Sequence, residues 1–174
     1  MKKLFQFLSL FTCLTFGSFA QIKIDTVTIT AVHDGDSYRV LYKNGVRQWV
    51  RLAYVDCPEV ISNHVSAKQF YGDSAGNVVR THIKGRMMRM VTFKKDQYKR
   101  PVVKLNAIGD NDFDLSSFII GHGHGWYIAT KGIPRKYRLK NGRKMQAYAK
   151  MKRWGLWQEL NPIKPAVWRK THRF

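Results

Sequence analysis

A chain of 174 residues with 44% hydrophobic content has the length of one domain. It carries ample apolar material for a core, which excludes a chain too polar to fold. Its 31 Lys and Arg against 11 Asp and Glu give a formal charge of +20. Solubility alone needs only a modest excess, so the balance points to anionic partners, either nucleic acid or an acidic membrane surface.

The first 20 residues read as a signal peptide. Met1-Lys2-Lys3 is a basic start, Leu4 to Phe16 an apolar run, and Ser18-Phe19-Ala20 a small-residue cleavage site before Gln21. The apolar run is too short for a transmembrane helix, so the mature protein is expected to have no stable membrane span. Thr12 before Cys13 is a poor fit for lipid attachment. The expected location is outside the cytoplasm, secreted or periplasmic. Cleavage removes Lys2, Lys3 and no acids, lowering the formal charge to about +18. It also leaves Cys57 as the only thiol, so the exported domain stands on its core without an internal disulfide.

Residues 21–160 read as the folded domain and residues 161–174 as a basic tail, an irregular strap or mobile arm. Thr26 to Val32 alternates with β-branched residues and predicts a first strand; Ser37 to Tyr42 predicts a second. Asn44-Gly45 is a type I′ hairpin signal, with Arg47 to Val55 returning as a third strand. Asp73 or Ser74 is expected to cap a helix that uses Ala75, Val78, Val79 and Ile83 on one face. Arg86 to Phe93 and Val102 to Ile108 follow as strands, joined by the charged loop Lys94 to Arg100. Asp114 is expected to cap a short helix ending at Gly121, and Lys136 to Arg153 a basic helix stopped by Gly155. The predicted order is βββαββαα, an α+β chain.

Four of the scarce carboxylates fall in two short segments, Asp34-Gly35-Asp36-Ser37 and Arg51-Leu52-Ala53-Tyr54-Val55-Asp56-Cys57-Pro58-Glu59. The Cys-Pro step cannot continue a regular strand, so Asp56 and Glu59 are expected to project into one turn. Carboxylates gathered in a strongly positive protein suit a hard cation, and Arg51 beside them offers a planar fork for a phosphate. Cation, arginine and carboxylate base together make a phosphodiester-hydrolysing set.

The pattern D-G-D-S, then R-L, then V-D-C-P-E resembles the staphylococcal nuclease (thermonuclease) family. Tyr71-Gly72, Asp96-x-Tyr98-x-Arg100 and Gly155-Leu156-Trp157 follow in the matching order, so the resemblance runs from about Val27 to Trp157. It implies a five-stranded OB-type barrel with about three packed helices, a fold that presents strands and loops to oligonucleotides. It also implies one Ca2+ ion held by Asp36, Asp56 and the backbone carbonyl of Cys57, where the family usually has Thr. Glu59 would be the general base, and Arg51 and Arg100 would clamp the scissile phosphate. Tyr98 and Tyr127 match nucleotide-contacting tyrosines. The implied activity is hydrolysis of DNA and RNA, leaving 3′-phosphate ends; the protein is expected to be a monomer. Glu59→Gln and Arg51→Ala are then expected to abolish most catalysis with folding retained.

Lys99 replaces a glycine common in the family and Pro101 follows Arg100, which points to an altered path for the loop carrying Arg100. Gly121-His122-Gly123-His124-Gly125 lacks a third metal ligand nearby in sequence and reads as a flexible connection. Two other functions compete: a noncatalytic nucleic-acid-binding module of the same fold, and a cationic membrane-active protein. The first would not need the full set Asp36, Arg51, Asp56, Glu59 and Arg100, and the second gives no reason for the acids.

Overall fold

Strand pairing in the first half of the chain brings three distant segments to one end of a barrel. The computed structural model describes residues 22–109 and 113–174, so the predicted signal peptide lies outside the described residues. Strands β1 (Lys23–Val32), β2 (Ser37–Tyr42) and β3 (Arg47–Leu52) form an antiparallel meander; β5 (Met87–Lys95) and β6 (Pro101–Ala107) complete it. The strand order β1-β2-β3-β6-β5 closes on itself, since β5 also pairs with β1. Closure gives every barrel strand a partner on both sides, the β3–β6 seam through the pairs Arg51–Val102 and Leu52–Val103.

Period-two patterning sets the inside of the barrel. Tyr38 and Val40 of β2 and Val50 and Leu52 of β3 are fully buried, whereas Arg39, between the first two, and Trp49, just before Val50, face solvent. Val103 and Leu105 of β6 and Met88 and Met90 of β5 join the same core. Helix α1 (Gly72–Ile83) covers it with Val79 and Ile83, and α2 (Leu115–Gly121) with Leu115, Ile119 and Ile120. Asp114 caps α2 as expected, its carboxylate accepting from the Ser117 N–H at 2.8 Å.

Several local expectations are corrected. The β2–β3 turn is not type I′, because only Gly45 has positive φ, at 83°. The Gly45 N–H donates to the Tyr42 carbonyl and the Tyr42 N–H to the Val46 carbonyl, giving a three-residue loop with glycine in the left-handed position. The third strand stops at Leu52 because Tyr54 turns left-handed, φ 68°. Val55–Asp56 then form a separate strand, β4, paired with β7 (Trp126–Tyr127). Helix α1 starts at Gly72 after a left-handed Tyr71, so neither Asp73 nor Ser74 is its cap. The basic helix is shorter than expected: α3 spans Gly142–Met151, preceded by a 3-10 turn, Arg135–Tyr137. Asn141 at φ 59° separates the two.

The tail is not irregular. Pro165–Thr171 form a fourth helix, α4, with Pro165 at its first turn where a missing N–H costs nothing. The expected glycine-rich connection also has a buried anchor: His124 is 8% exposed, and its Nδ1 lies 3.1 Å from the Tyr71 hydroxyl. Burial, then the charges of His122 and His82, push its pKa down to about 4. The unfolded chain therefore takes up this proton first as pH falls, so stability present above about pH 6.5 is lost on the way down through pH 4. Urea denaturation should show a loss of about 2 kcal/mol between about pH 7.5 and pH 5 from this group. His124→Gln should remove that slope.

Candidate active site

Register places the site. Ser37 pairs with Arg51 across β2–β3, and Arg51 pairs with Val102 across the parallel β3–β6 contact. Asp36, just before β2, Arg51, near the end of β3, and Arg100, just before β6, therefore share one barrel end. The β4 strand returns Asp56 to that end, and the Pro58 step sets Glu59 beside it.

Two glycines allow the close approaches. A Cβ on Gly35 would lie 2.5 Å from the Cys57 sulfur, so only glycine lets the Asp34–Asp36 turn pack on the β4 exit. A Cβ on Gly72 would lie 2.3 Å from the Glu59 carbonyl oxygen, so α1 begins hard against the backbone of Glu59. Gln69 fixes that backbone from both sides. Its N–H donates to the Glu59 carbonyl at 2.8 Å, and its side-chain carbonyl accepts from the Glu59 N–H at 3.3 Å.

Arg51 bridges the first two acids, with Nη1 2.8 Å from Asp36 Oδ1 and Nη2 2.6 Å from Asp56 Oδ1. Asp36 is 1% exposed; its Oδ2 accepts from the Cys57 N–H at 2.7 Å and its Oδ1 from the Ser37 hydroxyl at 3.1 Å. Burial raises the Asp36 carboxyl well above its usual range, against the pull of Arg51. Burial opposes the Arg51 charge too, yet Asp36 and Asp56 outweigh it and keep the guanidinium protonated. Burial also pushes up the Cys57 thiol, whose sulfur packs toward Gly35 and Gly125. A thiol so placed is inert, and Cys57 can serve the site only through its backbone.

Arg100 reaches the same end through a loop whose geometry departs from the sequence expectation. Lys99 does adopt the left-handed conformation, φ 62°, despite its side chain. Asp96 holds the loop: its Oδ1 accepts from the N–H groups of Tyr98 (2.9 Å) and Arg100 (2.8 Å), and its Oδ2 from Arg100 Nε (2.8 Å). Three hydrogen bonds to one carboxylate, one of them an ion pair, offset the strain of order 1–2 kcal/mol at Lys99. Arg100 Nη1 then donates to the Ser37 hydroxyl at 3.3 Å, linking it to Asp36.

A cleft of about 370 Å3 opens here, its wall including Asp34, Arg51, Glu59, Tyr98 and Arg100; Asp36, Asp56 and Cys57 are buried behind it and do not line it. Tyr98 is exposed at the rim, stacked on His64 (5.3 Å between centroids, 16°), with the Arg100 guanidinium 5.4 Å from its ring centre. Tyr127 is placed differently. It sits in β7 with its ring against Gly142 and Leu139, and it is not among the cleft-lining residues.

The sequence reading missed two participants. One is Gln69, which fixes Glu59. The other is Arg169 of α4, whose Nη1 and Nη2 each lie 3.1 Å from an Asp56 oxygen and whose Nη1 also contacts Glu59 Oε1. One nitrogen thus touches both acids, so Asp56 and Glu59 are neighbours.

Among the described residues, no three His, Cys, Asp or Glu side chains converge closely enough to cage a metal ion by themselves. Calcium takes roughly six to eight oxygens and accepts carbonyls and waters among them, so two carboxylates and a carbonyl are a workable protein share. The charge balance fits as well. Among the described residues, the cations paired with the cluster Asp34, Asp36, Asp56 and Glu59 are Arg51 and Arg169, since Arg100 is paired with Asp96, which leaves two formal negative charges. Arg169 already stands in for a cation against Asp56 and Glu59.

A closed five-stranded barrel with packed helices, carrying acids and guanidinium groups at one end, is an OB-type α+β fold. The chain belongs to the staphylococcal nuclease homologue family, whose sequence model matches residues 49–159. It is 25% identical over 142 residues to an uncharacterized endonuclease of Escherichia coli O157:H7, covering 81% of this chain and 82% of that one. An uncharacterized endonuclease of Haemophilus influenzae is 25% identical over 149 residues, 86% of this chain and 75% of its own. A staphylococcal-like nuclease of Arabidopsis thaliana is 27% identical over 127 residues, 71% of this chain and 34% of its own.

Proposed function

We propose that this protein is a secreted, calcium-dependent nuclease that hydrolyses phosphodiester bonds of DNA and RNA. The observation that carries the reading is Glu59 on the wall of a cleft that also holds Arg51 and Arg100, with the buried Asp56 beside it through Arg169. Asp36, Asp56 and the Cys57 carbonyl would hold the cation, which when bound polarises a phosphoryl oxygen. Glu59 accepts the proton of an attacking water. Arg51 and Arg100 bind the phosphate and stabilise charge building on its equatorial oxygens. Tyr98 at the rim stacks on a base without strong sequence preference. Cleavage of the P–O5′ bond, leaving 3′-phosphate ends, follows from the family resemblance.

Plasmid DNA and a single-stranded RNA, incubated with the mature protein plus calcium or plus chelator, test the reading. Degradation in calcium, its loss on chelation, and product ends resistant to extension until a phosphatase is added are the expected results. Binding without cleavage under both conditions would replace the enzyme with a noncatalytic module. Vesicle leakage without cleavage would favour the membrane-active alternative. Recovery from culture medium or periplasm, against retention in the cytoplasm, tests the export signal.

A further inference from the structure

Arg169 lies outside the family-matched segment, which ends at residue 159. Its helix is fastened over the loop of residues 62–69 by contacts that do not involve Arg169. The Ile163 carbonyl accepts from the Gln69 amide, the Ala67 carbonyl accepts from Trp168 Nε1 at 3.0 Å, and the His172 carbonyl accepts from the Ser66 N–H at 2.9 Å. Lys164 adds a cation–π contact, 5.8 Å from the Trp126 ring centre. The tail is thus anchored at both ends, and the anchors do not need the part-buried ion pairs that Arg169 makes with two buried acids. Desolvating such a group is costly, so simple attachment gives little reason for it.

What Arg169 occupies is specific. With Arg51 on Asp56 Oδ1, both Asp56 oxygens are bonded to guanidinium nitrogens, and Glu59 Oε1 is bonded too. Those are the oxygens that the proposed nuclease needs free, one set to ligate a cation and one to take a proton. A divalent cation at Asp56 would face the Arg169 charge within a few ångströms, and the two positive charges would repel. The side chain is 24% exposed and stands at the end of a short helix, so it has somewhere to go.

We propose that Arg169 is a gate on the cation seat, competing with the divalent ion for Asp56 and Glu59 while α4 is docked. The proposal rests on the nuclease reading of the same site. A gate closed nine-tenths of the time weakens apparent cation affinity about tenfold. Opening it also frees a third guanidinium at the cleft wall beside the incoming phosphate.

The test is calorimetric titration of calcium into the full mature chain, as wild type, Arg169→Ala and Lys170→Ala. The last removes the same charge from an exposed position on the same helix. Arg169→Ala should bind calcium about tenfold more tightly, and Lys170→Ala should match wild type. Circular dichroism confirms folding, and the calcium-induced rise in Tm should be larger for Arg169→Ala than for wild type. In the wild-type protein, calcium should speed amide exchange in residues 165–171. Unchanged or weaker calcium binding in Arg169→Ala overturns the gate, as does an equal gain in Lys170→Ala, which would reflect bulk charge alone. If wild type cleaves DNA with calcium while Arg169→Ala binds no tighter, only the gate falls. If neither binds calcium, the nuclease reading falls and the gate with it.

Discussion

Glu59→Gln should lower calcium-dependent hydrolysis about 10³-fold, within the usual range of ~10²–10⁴ for a general base. The amide has the size of the carboxylate and can still accept from Arg169, but it cannot take a proton from water. Glu59 is 9% exposed and its backbone is fixed by Gln69, so the substituted side chain stays in place. Burial raises the Glu59 carboxyl above its usual range while Arg169 pulls it back, the direction that makes a carboxylate a better proton acceptor. Stability should not fall. The site carries more acid than base, and removing one negative charge from that crowd relieves repulsion. Single-turnover cleavage and thermal denaturation measure the two effects separately. Activity within tenfold of wild type would show that Glu59 is not the base, and a large loss of Tm would show that it is structural instead.

How much of this was legible depends on whether the cause was local. The β2 strand was readable to the residue because Tyr38 and Val40 alternate with polar neighbours, and the alternation is what burial selects. Asp114 was readable because its cap hydrogen bond closes within three residues. The site motifs were readable as a set, since Asp36, Arg51 and Asp56 lie close in sequence and register brings them together. Where partners were distant, local rules misled. Asp73 looked like a cap, but the start of α1 is set by Gly72 packing on Glu59. Lys136 to Asn141 looked helical, but Leu139 packs instead against the cluster holding Ala53 and Tyr54. Lys99 looked incompatible with a left-handed turn, yet the hydrogen bonds to Asp96 hold it there. Arg169 had no signal at all, because it meets Asp56 across 113 positions from within a uniformly basic tail.

Arg51→Ala should cost the fold as well as the chemistry, which revises the expectation that folding is retained. The guanidinium is the only described cation bonded to Asp36, and it shares Asp56 with Arg169. Truncation leaves Asp36, 1% exposed, as a buried carboxylate without a counter-charge. Breaking a buried pair by removing one partner costs roughly 3–5 kcal/mol, a large share of the stability of a domain of this size. Its rise toward protonation, already favoured by burial, would absorb part of that cost at low pH. Urea denaturation in chelator should therefore show a loss of about 3 kcal/mol or more for Arg51→Ala, smaller at about pH 5 than at about pH 7.5. Calcium should restore part of it, since a divalent ion at Asp36 and Asp56 replaces the missing charge. Arg51→Lys separates fold from function. It keeps one positive charge near the acids but loses the fork that spans both, so it should fold better than the alanine variant and still lose most activity. Full activity in Arg51→Lys would deny the guanidinium its phosphate role. Unchanged stability in Arg51→Ala would deny the bridge between the two acids, and with it the arrangement on which the site is built.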